Sequence, residues 1–556
     1  MKTLKLYFSV MVVCVAVLSI KVQAQVSEQW TSYYTPGTGT NQDIKATVID
    51  AANNVYVTGE SSNAQFDYDI VTVKYNSAGV QQWLTRYHRT PNPISSAVPT
   101  AIAIDNSGNV FVCGVTTVVS GNGDMVTIKY NSLGVEQWAN IVAGDANSQD
   151  YANDIKTDNT GNVFVTGHYI TNFSLPVVQI ATIKYNSAGV QQWLKTFRMN
   201  STNGTNGGVG LAMDNSGNAC VTGWSSNSFD QIYIVTIKYN TAGDSLWTRL
   251  FQNSNPSGSF HQIYSTKITS DAAGNFYVGG YSASMTTQFE FVTLKYNSTG
   301  SLVWSAFNPG NGSASQVRDI KSDNSGNVFF TGITHNVGTR SSFATVKYNS
   351  SGILMWSKIY NGNASTSNDE PFAIALDNKG NSYVTGDNNS GSANSMLTTV
   401  KYDSLGNKKW EISDLTNSYG TSGSRSISVD TTGNVYVGGF ANNLTKYLTI
   451  KYSQTVGIIN IFNTVPDGFK LSQNYPNPFN PKTNINFSIP ANGFVKMTIF
   501  NSLGQEVSTL INKEMTSGEY RTDWNAAEFP SGEYFYRLEI SGQKIFIAVK
   551  KMILVK

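Results

Sequence analysis

One pattern recurs along most of this 556-residue chain, and it recurs out of phase with its own ends. Each unit of about 54 residues reads as an apolar strand, Asp-x-x-Gly-Asn, a strand like VYVTG, a variable stretch, a strand ending Lys-Tyr, a short turn, and Trp. The turn Asp falls at Asp105, Asp158, Asp214, Asp271, Asp323, Asp377 and Asp430, with a degenerate first copy at Asp50, where Asn53 replaces Gly. The Tyr of Lys-Tyr falls at Tyr75, Tyr130, Tyr185, Tyr239, Tyr296, Tyr348, Tyr402 and Tyr452. Trp follows eight residues later at Trp83, Trp138, Trp193, Trp247, Trp304, Trp356 and Trp410, but not after Tyr452. The missing one stands at the other end: Trp30 precedes the first Asp and has no Lys-Tyr before it. A first strand that completes the last unit closes a ring and leaves no exposed sheet edge.

Four strands of period-2 character per unit, with turns between them, describe a propeller blade. The expected fold is all-β: an eight-bladed β-propeller over residues 25–452, or seven-bladed if one set of strands stays out of the ring. A solenoid is the rival repeat architecture, but it has no use for a borrowed N-terminal strand. Through D..GN.YVTG and TVKYNS.G...W, residues 26 to 453 resemble the seven-bladed β-propeller (SBBP) repeat family, although eight complete sets of strands are present.

Composition fits an exported β protein. Only 13% of residues are charged, so Asn, Ser, Thr and Gly must supply the polar surface. Lys2 and Lys5 precede an apolar run from Leu6 to Ile20, and Val22-Gln23-Ala24 ends on a small residue, so residues 1–24 read as a cleavable export signal. The alternative, a membrane anchor, wants a run of about 20 residues. Loss of Lys2, Lys5 and Lys21 takes the net charge from +2 to −1, and with no basic block a nucleic-acid partner is not expected. Cys113 and Cys220 each replace a strand residue, which suits packing better than bonding.

If the strands are lettered A to D from the centre outward, the A-to-B and C-to-D turns are short and monotonous, as in DNSGN and NSAG. The B-to-C and D-to-A connections differ in every unit, and that end is where a ligand would be read. The recurring Asp, Lys and Trp each have a plain role and a rival one. Turn-capping competes with calcium ligation for Asp, packing with a cationic ring for Lys, and inter-blade packing with a binding ladder for Trp. No metal-ligand spacing, nucleophile motif or nucleotide loop is present, so neither a catalytic residue, a metal nor a cofactor is assigned. The candidate binding residues on the variable end are Tyr87, His88, His168, Trp224, Phe260, His261 and Tyr281, for an unidentified extracellular glycan or protein. An extracellular glycan hydrolase or lyase built from Tyr, His and carboxylates among Asp67, Asp69, Asp230, Glu290, Asp369, Glu370 and Asp387, or a structural surface-layer component, are the other readings.

After Tyr452 the repeat stops. A linker over 453–466 leads to about 90 residues (467–556) with several short strands and Gly turns, expected to form a small Ig-like β-sandwich. YPNPFNP, IFNSLGQEV, SGEYFYRLE and a basic final strand resemble the type A sorting domain of the type IX secretion system of Bacteroidetes bacteria. The resemblance implies recognition of residues 467–556 by that machinery after passage through the periplasm. It also implies removal of the domain, with release or covalent attachment to surface lipopolysaccharide. Asn477, Pro478, Phe479, Asn480, Pro481, Gly504, Gly532, Tyr534 and Tyr536 are the positions matching its motifs.

Overall fold

The computed structural model describes residues 25–556 apart from 36–40, 63–66, 90–94, 118–122, 145–148, 172–176, 200–205, 229–230, 253–260, 285–288, 311–314, 336–339, 363–367, 390–394, 415–420, 442–443, 456–458, 463–465, 527–528 and 543–544. The expected export signal, residues 1–24, lies outside the described residues. The described residues divide into two compact units, Val26–Ser453 and a C-terminal unit beginning at Gln454.

The first unit is all-β, built from repeated four-stranded antiparallel sheets. The first set is Gln42–Ile49, Val55–Ser62, Tyr68–Tyr75 and Gln81–Tyr87, hydrogen-bonded in that order. Six more sets of the same order follow within residues 96–414, the fourth and fifth joined by one parallel pairing, Ile232 with Gln262. The eighth set supplies only Gly423–Val429, Val435–Ala441 and Lys446–Thr455; its fourth strand is Gln25–Tyr34, paired to Lys446–Thr455. Innermost strands of successive sets lie side by side, and the eighth lies against the first, so the cycle closes as in a β-propeller. Second and third strands are buried on both faces because each sheet is covered by a neighbour on either side, and Val55, Val57, Val71 and Val73 are fully buried.

The repeated residues hold neighbouring sheets together. Each turn Asp caps its own hairpin: Asp105 Oδ1 accepts the amides of Ser107 and Asn109 at 2.9 Å, and Oδ2 accepts the Asn109 side chain at 2.7 Å. Each Lys of Lys-Tyr lays its ammonium over an aromatic ring, and Lys129, Lys184, Lys238, Lys295, Lys347 and Lys451 also donate into the next sheet. Lys347 sits 4.8 Å from the Phe329 ring centre and 3.0 Å from the Ser404 carbonyl. The Trp indole N–H reaches the same carbonyl, as Trp356 does at 3.2 Å, and its ring lies against the turn glycine that follows. That glycine has positive φ (81° at Gly79), and a Cβ there would sit 2.5 Å from Trp30. Trp30 therefore joins the eighth sheet to the first as the other tryptophans join theirs, donating to Ser77 at 3.1 Å. Trp410 is the exception: among the described residues its buried N–H has no hydrogen-bond partner. It faces the set whose third strand runs on to Thr455 without turning into a fourth, so the carbonyl-bearing turn is missing.

The glycine of VYVTG marks a second recurrent device. Every innermost strand carries a β-bulge near its start, at Lys45, Thr100, Asn153, Val209, Thr266, Arg318, Phe372 and Arg425. The bulge pushes the carbonyl two residues earlier against the second strand. A Cβ on Gly167 would lie 1.8 Å from the Tyr151 oxygen, and one on Gly280 2.0 Å from that of Tyr264. Only glycine fits there.

The C-terminal unit has two four-stranded sheets. One orders Ile459–Phe462, Gly518–Asn525, Lys482–Ile489 and Lys470–Leu471; the other orders Glu506–Met515, Gly493–Asn501, Gly532–Gly542 and Phe546–Leu554. They enclose a core of Phe479, Ile485, Phe487, Met497, Trp524, Tyr536 and Leu538. Within the stretch read as a linker, Ile459–Phe462 is thus a strand of this unit, paired to Gly518–Asn525.

Candidate functional site

Three positions per set meet at the start of the innermost strands: the bulged residue, the residue two before it, and the residue after the VTG glycine, which pairs with that earlier residue. Nothing in the repeat fixes their identity, and they vary from set to set. In the third to fifth sets they include Tyr151 and His168, Trp224, and Tyr264 and Tyr281; in the sixth to first they include Arg318, Asp387, Arg425, Asp43 and Lys45. The variable end of the ring thus carries an aromatic arc and a charged arc.

The aromatic arc is continuous. Ring centres are 6.2 Å apart from Tyr151 to His168, 6.3 Å to Trp224, 5.8 Å to Tyr264, 5.1 Å to Tyr281 and 5.9 Å to Phe289. All six are half-buried, so each keeps part of its ring open. Asn153, the bulged residue of the third set, spans His168 Nδ1 at 2.8 Å and the Gly208 carbonyl at 2.7 Å. Burial holds the His168 imidazole below its usual value, favouring the neutral ring.

The charged arc centres on Arg425. Its guanidinium lies between the Phe372 and Phe440 rings, 4.3 and 4.8 Å from their centres, and meets Asp387 at 3.0 Å and Asp43 at 3.5 Å. Asp387 also accepts the Ser424 amide at 2.9 Å. Burial raises the Asp387 carboxyl to about 6 against the opposing pull of Arg425. Lys45 bridges Asp43 and Glu60 at 2.9 and 3.2 Å.

Of the residues singled out in the sequence, His168, Trp224 and Tyr281 come together in the aromatic arc. Tyr151, Tyr264 and Asn153 complete it and were not singled out. Tyr87 is buried in the core between the first and second sets. His88 is tied into the first set by a hydrogen bond, its Nδ1 2.7 Å from Asp69, which also binds Arg86. Phe260 lies outside the described residues; His261 opens the strand His261–Ser270, its backbone paired with Ser284. Cys113 and Cys220 are buried and unbonded. No group of three or more metal-ligating side chains occurs among the described residues.

In the C-terminal unit the proline-rich motif clasps the final strand. Asn477 Oδ1 accepts the Ile553 amide at 2.9 Å, and the Phe479 backbone exchanges hydrogen bonds with Ile553 and Val555 at 3.0 Å each. The Phe479 ring is buried against Trp524, with centres 5.5 Å apart. Pro478, Asn480 and Pro481 flank this contact in the chain, and the Pro481 carbonyl accepts the Ala526 amide at 2.8 Å. Tyr536 donates to the Ser472 carbonyl and Tyr534 to that of Pro530, both at 2.8 Å. Gly504 takes a turn at φ 77°, and Gly532 opens the strand Gly532–Gly542.

The chain is therefore an all-β protein in two parts, a ring of repeated four-stranded sheets and a small sandwich. Residues 473–555 match the family described as the secretion system C-terminal sorting domain, so the chain carries a type IX sorting tail, which implies export to the cell surface or beyond. No curated protein matches the chain. Among solved structures, the WD40 domain of SCAP from fission yeast is 10% identical, covering 76% of this chain and 98% of its own at a TM-score of 0.41. A PL25 ulvan lyase is also 10% identical, covering 68% and 94% at 0.39. A Hadza microbial sialidase is 8% identical, covering 78% and 97% at 0.33. Likenesses at these scores bear on neither ligand nor chemistry.

Proposed function

We propose that this is an exported, eight-bladed propeller of the SBBP kind that binds a carbohydrate through the aromatic arc of its variable end. The observation that carries the reading is the unbroken run of half-open rings from Tyr151 to Phe289. Flat apolar faces next to hydrogen-bonding groups suit the mixed surface of a sugar ring, and the near-neutral chain has no strong field with which to recruit a charged partner. Residues 467–556 engage the type IX machinery after passage through the periplasm and are then removed, with release or attachment to surface lipopolysaccharide.

Array binding by the mature chain, lost in Trp224→Ala and Tyr281→Ala with the fold intact, is the expected result; equal binding by both variants overturns it. A second reading, glycan hydrolysis or elimination, rests on Asp387, whose carboxyl near 6 is in the range of a working acid at neutral pH. It requires product release from polysaccharide that Asp387→Asn abolishes.

A further inference from the structure

Gly207 has no side chain, and two ring nitrogens converge on the space where one would be. A Cβ there would lie 2.6 Å from His168 Nε2 and 3.1 Å from Trp224 Nε1. The hydrogen on His168 is fixed by its neighbours. The Asn153 side-chain atom that reaches the Gly208 carbonyl must be nitrogen, because a carbonyl only accepts. The same nitrogen lies 2.8 Å from His168 Nδ1, so Nδ1 accepts and the proton sits on Nε2. Both nitrogens at the gap are therefore donors, and no hydrogen bond from either to protein is found among the described residues.

We propose that His168 and Trp224 form a two-donor notch over Gly207 that grips a hydroxyl oxygen of a neutral sugar lying along Tyr264 and Tyr281. The notch rests on the carbohydrate reading above and adds its point of polar contact. Two N–H groups select an oxygen lone pair and reject an ammonium. Lys156, on the same innermost strand as Asn153, is held by Asp154 at 2.7 Å. Asp150 is turned away, its oxygens taken by the Ile170 and Gly144 amides at 2.7 and 2.6 Å. The groups facing the His168 ring are Tyr151, Asn153, Gly207 and Trp224. Protonating Nδ1 would set its N–H against that of Asn153, so binding should weaken as the pH falls below the ordinary histidine value.

The test uses 15N-labelled mature chain and five probes: cellohexaose, xylohexaose, mannohexaose, laminarihexaose and hexagalacturonate. At least one neutral probe should shift both the Trp224 indole N–H and the His168 Nε2–H resonances. Trp224→Phe and His168→Phe keep a ring and remove a donor, and each should weaken that probe roughly 3- to 10-fold. Trp356→Phe, at a scaffold tryptophan of another set, should leave affinity unchanged. A neutral probe that binds without moving either resonance, or equally well to both variants, overturns the notch and leaves the carbohydrate reading standing. Binding by hexagalacturonate alone overturns the preference for a neutral sugar, and so the notch as stated. Binding by none of the five overturns the carbohydrate reading and the notch with it.

Discussion

Replacing tryptophan by phenylalanine at four equivalent positions separates the energy of the indole N–H from that of the ring. Trp193, Trp247, Trp356 and Trp410 are 9, 8, 9 and 5% exposed, so the ring contraction costs each a similar amount. The first three donate to the carbonyls of Thr241, Ser298 and Ser404 at 3.3, 3.2 and 3.2 Å. Those carbonyls keep a second donor in Lys184, Lys238 and Lys347, so deleting the indole N–H loses one bond without stranding its acceptor. The loss is about 1 kcal/mol beyond the ring term. At Trp410 the N–H is buried and unpaired, and its removal relieves a penalty of about 1–3 kcal/mol. Trp410→Phe should therefore be about 2–4 kcal/mol less costly than the other three by the sum of these two terms. Equilibrium urea unfolding of the mature chain, followed by far-ultraviolet circular dichroism, reads the difference. A Trp410→Phe cost equal to that of Trp247→Phe would refute the claim that the borrowed strand leaves this N–H stranded.

Three further outcomes follow from the same geometry. Gly167→Ala places a methyl 1.8 Å from the Tyr151 oxygen and should prevent folding. Gly161→Ala, whose nearest neighbour is 3.6 Å away, should cost only the roughly 1–2 kcal/mol of a left-handed backbone; soluble yield and thermal melting distinguish the two. Burial lowers the Lys401 ammonium to about 8 against the pull of Asp377, and a lysine lowered on folding weakens the fold while both states are protonated. That cost should be relieved between about pH 8 and 10.5, so melting should rise over this window in the native chain and less in Lys401→Met. Phe479→Ala empties a site that is 2% exposed and should cost the C-terminal unit about 3–5 kcal/mol, with loss of export measured by cell fractionation.

Much of the frame is legible in the sequence because scaffold residues repeat. The orphan Trp30 and the bare Tyr452 together announced that the first strand completes the last sheet, and the backbone pairing of Gln25–Tyr34 with Lys446–Thr455 has that arrangement. The site is only partly legible. His168, Trp224 and Tyr281 were visible as aromatic residues beside variable loops, but so were Tyr87 and His88, which the fold commits to the core and to a hydrogen bond with Asp69. What separates them is register. Each of the first three immediately follows a VTG or VGG glycine; Tyr87 ends an outermost strand and His88 follows it. Aligning the units on that glycine picks out Glu60, Val115, His168, Trp224, Tyr281, Ile333, Asp387 and Phe440 in one step. The bulge itself has no residue signature on the strand that carries it, since Lys, Thr, Asn, Val, Arg and Phe all occupy it. Its trace lies on the neighbouring strand, as the glycine that makes room.

That glycine also explains how one frame carries unlike chemistry. The bulge fixes the backbone at the ring's variable end, while the hydrophobic sheets and the Lys–Trp–carbonyl contacts hold the rest. Substitution at the three variable positions then changes what the end presents while the repeated contacts stay the same. The two glycines among them show the freedom used in opposite ways. At Gly207 the missing side chain lets His168 and Trp224 approach and brings their two ring nitrogens together. At Gly423 a Cβ would lie 2.7 Å from Asp387 Oδ1 and 2.6 Å from the Phe440 ring, so its absence lets Asp387 and Phe440 close around Arg425. The first serves the proposed sugar contact, and the second is filled by the protein's own charges. Arg425 is thus paired within the charged arc, whereas among the described residues the His168 Nε2 and Trp224 Nε1 donors of the aromatic arc have no hydrogen bond to protein.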